Sequence, residues 1–456
     1  MASWFPYELV YEQEQTMHKQ LRYAFIVIFL LSLLACNFTS LNATEPPPAA
    51  QPATQPAASF DAPTMASAPP QTLPADLIQP EDLDYLGAFR LPADAPDEIG
   101  WAWSNWSSAL AYYPEGDPDG ASDGFPGSLF GTGHDWNQFV SEISIPAPVI
   151  SPTKNIEDLN TAATLQPFAD IRGGLFDDLE LPRVGLAYLP AQGEQSAGKL
   201  YFAWAPHLDE GATNPSHGWA SLDLSNPQTA GAWRIADYGN YVTGDYIFPI
   251  PQYWADSYTG GMSLATGRMR DGGQSGQGPA LFAIAPWQSG NPPTAGSTLP
   301  ATPLLLYQDV IVENGITLDN YHHSDEWTGA AWLAAGEKSA VIFVGNKGLG
   351  EYWYGNPDGP CLECDERGWW SSEFVAQIVF YNPADLAAVA QGTMESWEPQ
   401  PYAALNIDEY LYHIKGVMQK HHVAAAAFDP DNGLLYIVEP LADEERSIVH
   451  VWQVQP

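Results

Sequence analysis

Short apolar runs broken by Gly, Pro, Asn and Asp fill residues 85–455, and almost no stretch sustains a helical period. The runs recur in a fixed order. A first strand, small and apolar, is expected at 108–114, 184–190, 260–266, 329–335 and 423–428. A second follows each one, at 127–133, 199–205, 279–285, 340–346 and 433–439. Third strands read as 139–145, 218–224, 302–307, 374–381 and 447–454. The units start about 70–95 residues apart, longer than common repeat families, so each has accepted insertions. The stretches 150–180 and 236–259 have room for further strands.

Five such units resemble a β-propeller, an all-β fold in which four-stranded antiparallel blades stand radially around a channel. Blades converge at their inner strands, which accounts for the Ala and Gly content of the first strand in each unit. The last unit supplies three strands before the sequence stops, whereas 85–92 stands alone ahead of the first unit. Joined, they would close a five-bladed ring through the N-terminal strand and protect edges that otherwise invite aggregation. A pair of β-sandwiches, or six or seven blades with degenerate members, is the competing arrangement.

Ahead of the propeller-like region 81–456 the pattern changes twice. Lys19 and Arg22 precede an apolar run from Ala24 to Ala35 that ends in Leu33-Leu34-Ala35-Cys36. About 12 apolar residues are too few to span a bilayer core of roughly 30 Å. This succession resembles the signal peptide of bacterial lipoproteins. The resemblance implies that the Cys36 thiol receives a diacylglycerol, that cleavage precedes it so that the mature chain begins at Cys36, and that residues 1–36 form the lipoprotein signal region. It also implies a membrane partner through the lipid, and a place in the cell envelope facing the periplasm or the exterior. A short membrane anchor or a non-lipidated export signal is the alternative. Glu8, Glu12 and Glu14 occupy the place of a cationic n-region, so a start at Met17 would give a more ordinary signal. Residues 37–80 are dominated by Pro, Ala, Thr and Gln, a composition that cannot bury enough apolar area to order itself. Such a linker reaches up to ~100 Å when extended.

Charge narrows the partners. With 55 acidic against 16 basic residues the net charge is −39, a field that repels nucleic acid and anionic polysaccharide. A neutral glycan, a cationic ligand or bound calcium suits it better, although a solvated acidic surface also explains much of the charge. Apart from Cys36, only Cys361 and Cys364 are present. Outside the cytoplasm this CxxC pair is expected to form a local disulfide, and no second CxxC completes a zinc site.

In a propeller, the turns before first strands and those between second and third strands open on one face. The unusual polar and aromatic residues fall there. His134, Asp135 and Trp136 follow one second strand, and His207 follows the next. Trp287 is read as following the third unit's second strand. His322, His323, Asp325 and Trp327 precede a first strand, as do His421 and His422. Trp beside polar groups suits sugar, whose apolar ring face stacks on indole; His beside carboxylate suits a divalent metal. Alternation along an extended segment turns only one residue of each HH pair toward the channel, and His323 and His422 are taken as those two. The expected site is thus His134, Asp135, His207, His323, Asp325 and His422, with Trp136 and Trp327 as aromatic contacts; the bland reading is histidines satisfying loop carbonyls.

No motif settles the chemistry: HExxH, P-loop and strand-linked GxGxxG patterns are all missing. The outline resembles five-bladed glycosidases, but that family carries catalytic carboxylates on inner strands, and the first strands here hold none. Asp117, Asp119 and Asp123 around Gly120 resemble a short calcium loop, with a plain hairpin turn as the alternative. Two functions follow as expectations: a binding protein that reads carbohydrate at the channel mouth, or a metal-assisted carbohydrate-active enzyme there. A structural or interaction scaffold is the third.

Overall fold

The computed structural model describes residues 76–93, 103, 109–117, 120, 125–179, 181–206, 214–269, 278–307, 318–355 and 368–456. Five antiparallel sheets stand in a ring. Blade 1 comprises Leu110–Tyr113, Ser128–Thr132, Val140–Ser144 and Thr164–Ala169, from the inside outward. Blade 2 runs Arg183–Leu189, Lys199–Ala205, His217–Ala220 and Thr229–Ile235. Blade 3 runs Tyr246–Pro249, Leu264–Arg268, Ala280–Ile284 and Ala301–Leu305. Blade 4 runs Glu326–Ala335, Lys338–Gly355, Gly368–Tyr381 and Ala403–Asn406. Blade 5 takes Ala426–Asp429, Leu434–Asp443 and Arg446–Val454 from the end of the chain. Its fourth strand is Leu83–Arg90 from the beginning.

The ring therefore closes through the two ends of the propeller. Leu83 pairs with Val454 and Arg90 with Ile448, with one register shift between Tyr85 and Gly87. A buried chain of hydrogen bonds crosses this seam. Tyr85 Oη lies 2.9 Å from His450 Nδ1, and His450 Nε2 lies 2.7 Å from Glu439 Oε2. Glu439 also accepts the backbone N–H groups of Tyr412 and His413. Contacts begin even before Leu83: Asp76–Leu77 pairs in parallel with Lys338–Ser339, and Ile78 is fully buried.

The core is five inter-blade layers rather than one centre. Phe130, Leu186 and Phe202 pack between blades 1 and 2, and Trp233, Ile247 and Ile284 between blades 2 and 3. Trp254, Trp332 and Phe343 fill the next gap, and Ile342, Phe380 and Trp452 the one after. Phe89, Leu129 and Tyr436 complete the circuit. Large rings fit because the inner backbones approach closely. A Cβ on Gly185 would sit 2.8 Å from Ile247 N on the neighbouring inner strand.

Blade 3 corrects the sequence reading. The run placed as its inner strand, 260–266, contributes to the second strand, and the true inner strand is Tyr246–Pro249. The physical reason is composition: Tyr-Ile-Phe-Pro lacks the small residues of the other inner strands, and the helix Gln252–Tyr258 follows it. The shift carries Trp287 past the third strand, to the face opposite the histidines, where it packs edge-on against Tyr201.

Candidate functional site

Asp325 stands immediately before the inner strand of blade 4 and is almost wholly buried. Its Oδ2 lies 2.7 Å from Lys347 Nζ and accepts the His322 N–H at 3.0 Å, while Oδ1 accepts the Gly348 N–H at 2.9 Å. Burial pushes its carboxyl up to about 6, and Lys347 and the hydrogen bonds oppose that rise. Lys347 in turn donates to the carbonyl of Asn320. The next residue repeats the theme: Glu326 Oε1 is 2.7 Å from Lys420 Nζ, and Oε2 is 3.7 Å from His421 Nδ1. Both carboxylates are thus held by buried ammonium groups, which suits them to fixing loops.

Above these ion pairs rises the hairpin joining the second and third strands of blade 4. Its register sets Tyr352 opposite Ser371, Trp353 opposite Trp370 and Tyr354 opposite Trp369. The His323 ring stacks on Trp369, centroids 4.2 Å apart and planes 17° from parallel. Tyr352 lies 5.0 Å from His322 and 5.4 Å from His323, and Tyr354 meets Trp369 edge-on at 5.4 Å. Tyr352 and Tyr354 remain 42% and 44% exposed. The result is an aromatic ledge on a rigid ladder. His322 Nδ1 lies 3.2 Å from Ser371 Oγ, and burial, with help from Lys347 and His323, lowers its pKa. At neutral pH that ring offers hydrogen bonds without charge.

His422 lies apart from the ledge's stacking and is 2% exposed. Its Nδ1 is 2.9 Å from Asp408 Oδ1, which also accepts the Ala376 N–H. No hydrogen-bond partner for Nε2 occurs among the described residues. Asn346 pins the same loop, accepting from the backbone of His422 and Val423 and donating to the Val423 carbonyl. On blade 1, His134 Nδ1 accepts the Trp136 N–H at 3.2 Å and lies 2.9 Å from Asp135 Oδ1. Burial raises the Asp135 pKa, which favours the proton this close pair requires. Trp136, 56% exposed, sits edge-on to the His134 ring.

The described members of the expected constellation each have local partners. Among the described residues no three His, Cys, Asp or Glu gather closely enough to hold a metal ion. His134 with Asp135, Asp325 with Lys347, and His422 with Asp408 are separate local arrangements. Trp327 is 4% exposed and belongs to the core between blades 3 and 4, because it has already entered the inner strand. Cys36, Asp119, Asp123, His207, Cys361 and Cys364 lie outside the described residues, while Asp117 is half-buried and its carbonyl accepts the Gly120 N–H. Sequence reasoning missed Lys420, Tyr354 and Trp369. The scarcity of cations was the available signal for the lysine, and the alternation of Tyr352, Tyr354 and Trp369 was the signal for the ledge.

No protein-family model matches the chain, and no curated protein does. Among solved structures it is similar to the β-propeller domain of Cps50 (Swd1) from Myceliophteria thermophila. The identity is 11%, with 82% of this chain and 100% of that chain covered and a TM-score of 0.28. A likeness that slight carries no argument about blade number or function, and the five-bladed ring rests on its own strand pairing.

Proposed function

We propose that this protein is a lipid-anchored β-propeller of the cell envelope that binds neutral carbohydrate at the aromatic ledge of blade 4. The observation that carries the reading is the pair Tyr352 and Tyr354, 42% and 44% exposed, beside the partly buried Trp369, on which His323 stacks. Flat rings fixed on a β-ladder take the apolar face of a pyranose, and neutral imidazole and hydroxyl groups at their border take its hydroxyls. A net charge of −39 favours an uncharged glycan over an acidic one. Engagement of Asp325 and Glu326 by Lys347 and Lys420 favours recognition over acid–base catalysis. Anchoring follows from Cys36 after its apolar run, and the Pro-rich stretch ahead of Asp76 would hold the ring away from the bilayer.

The experiment is a panel of neutral oligosaccharides presented to the purified protein, with and without chelator. Binding that resists chelator and falls about tenfold in Trp369→Ala, at unchanged melting temperature, is the expected result. Chelator-sensitive binding would transfer the site to the metal-assisted reading, and no binding to any neutral glycan would remove the carbohydrate proposal. Fatty-acid labelling of the wild type but not of Cys36→Ser is expected from the anchor; equal labelling would remove it.

A further inference from the structure

The aromatic ledge is not alone on its face of the ring. Trp136 lies in the turn between the second and third strands of blade 1, and the ledge stands on the same connection in blade 4. Both therefore open on one side. At 56%, Trp136 is the most exposed tryptophan among the described residues. The turn that carries it is tightly tied. Gln138, in the left-handed region at φ +50°, donates its backbone N–H to the His134 carbonyl at 2.8 Å, and the Gly133 N–H reaches the Phe139 carbonyl at 2.8 Å. The Gln138 side-chain amide is 3.3 Å from the carbonyls of both Asp135 and Pro182. His134 meets the indole edge-on at 5.2 Å. The ring is thus a flat apolar surface left open to solvent on a fixed turn.

Polar groups lie close by. The partly exposed Asp135 precedes the indole, and the bond to Pro182 brings up Arg183, the first residue of blade 2's inner strand. Arg183 is near enough for its charge to act on the Asp135 carboxyl. An open indole with a carboxyl and a guanidinium near it has the chemistry to take a pyranose, ring face and hydroxyls together. Blade 5 stands between this turn and the ledge, and its own turn carries the exposed Glu444 and Glu445. Those charges disfavour an acidic polymer passing from one to the other. We propose that Trp136 is a second carbohydrate platform, so that this face binds a polymeric neutral glycan at two points. The inference rests on the carbohydrate reading of the ledge. Two platforms held on one face of a ring make the second contact intramolecular, which multiplies affinity for a polymer without strengthening either site.

The probes are matched neutral pairs: cellotetraose with cellulose, maltotetraose with amylose, mannotetraose with mannan, and xylotetraose with xylan. For a pair that binds, calorimetry should find two tetrasaccharide sites per chain, one remaining in Trp136→Ala and one in Trp369→Ala. The polymer should bind the wild type about a hundredfold more tightly than the tetrasaccharide does. Trp136→Ala, a truncation of an exposed side chain, should remove that gain at unchanged melting temperature. The same variant should hold the tetrasaccharide affinity of the ledge within about twofold, and Trp136→Phe should keep most of the gain. A single tetrasaccharide site that Trp369→Ala abolishes, or a polymer gain that survives in Trp136→Ala, would overturn this proposal and leave the ledge reading standing. Binding of none of the pairs would overturn both.

Discussion

Asp245 and Asp325 occupy the same position in two successive blades. Tyr246 pairs with Gly267 and Glu326 with Asn346, so each aspartate, one residue before its inner strand, faces a cation one residue beyond. Those cations are Arg268, whose Nε is 3.4 Å from Asp245, and Lys347, 2.7 Å from Asp325. The likeness extends to the backbone: Met269 N–H and Gly348 N–H, each just after the cation, donate to the same carboxylates. A buried acid thus ties the entry of the inner strand to the exit of the second one, on the face that carries the aromatic ledge. For Asp325 the cation matters because desolvation of a lone buried charge is far costlier than burial of the pair.

Removing one partner should therefore be worse than removing both. Lys347→Met is expected to cost about 3–5 kcal/mol in chemical denaturation, as it strands a buried carboxylate. The double variant Asp325→Asn with Lys347→Met should recover at least half of that loss. If the double variant is as unstable as the single one, the ion pair is not what holds this corner.

The raised pKa of Asp325 has a definite sign. Its folded value is about 6 against an ordinary 3.8, so the folded protein holds this proton more tightly than the unfolded chain does. The resulting stabilisation is full below pH ~4 and is lost as pH rises through ~6, a change of about 3 kcal/mol. Comparing wild type with Asp325→Asn between those limits should show the wild type losing ground as pH rises. A constant difference would contradict the assignment.

His217 works in the opposite direction. It is fully buried, with Nδ1 2.9 Å from Ser216 Oγ and Nε2 2.8 Å from Thr266 Oγ1. Since Thr266 donates its own proton to the Thr243 carbonyl, Nε2 of His217 must be the protonated nitrogen, and the ring is neutral. Burial lowers its pKa to about 3 from an ordinary 6.5. Its contribution is present above pH ~6.5 and fades as pH falls toward ~3, by at most about 5 kcal/mol. His217→Gln should be less stable at pH 7 yet lose less on acidification to pH 4, measured by thermal melts across that range.

Ring closure predicts where truncation becomes harmful. Deleting residues 37–67 should leave the melting temperature nearly unchanged, since the described contacts of the propeller start at Asp76. Extending the deletion through Arg90 removes the strand paired with Arg446–Val454 and unseats the Tyr85–His450 hydrogen bond. That loss should amount to several kcal/mol, a large part of the 5–15 typical of a domain. Equal melting of the two truncations would mean that the closing strand contributes little.

Close backbone approach predicts one further sensitivity. A Cβ on Gly329 would sit 2.8 Å from the Ala424 carbonyl oxygen and 2.9 Å from Ala426 N, both in the next blade. Gly329→Ala should cost about 1–3 kcal/mol by forcing two inner strands apart. Denaturant midpoints of this variant and of Gly392→Ala, whose Cβ meets nothing but whose φ is +70°, separate crowding from backbone strain.

Blade number and the closing strand were legible from sequence because they depend on local pattern. Small apolar runs mark inner strands, and a unit one strand short at one end with a spare at the other admits a single pairing. Blade 3 was misframed for the same reason: its inner strand, Tyr246–Pro249, is bulky where the pattern asked for small residues. The loop residues behaved differently. Topology put His134, His323, Asp325 and His422 on one face, but whether a carboxylate meets a metal, an imidazole or an ammonium depends on which distant side chain is nearest. Lys347 and Lys420, 22 and 94 residues from their partners Asp325 and Glu326, decided that, and so did the register that set Trp369 against Tyr354. Periodicity is written residue by residue along the chain, whereas charge pairing and stacking are properties of proximity in three dimensions, which only the closed ring supplies.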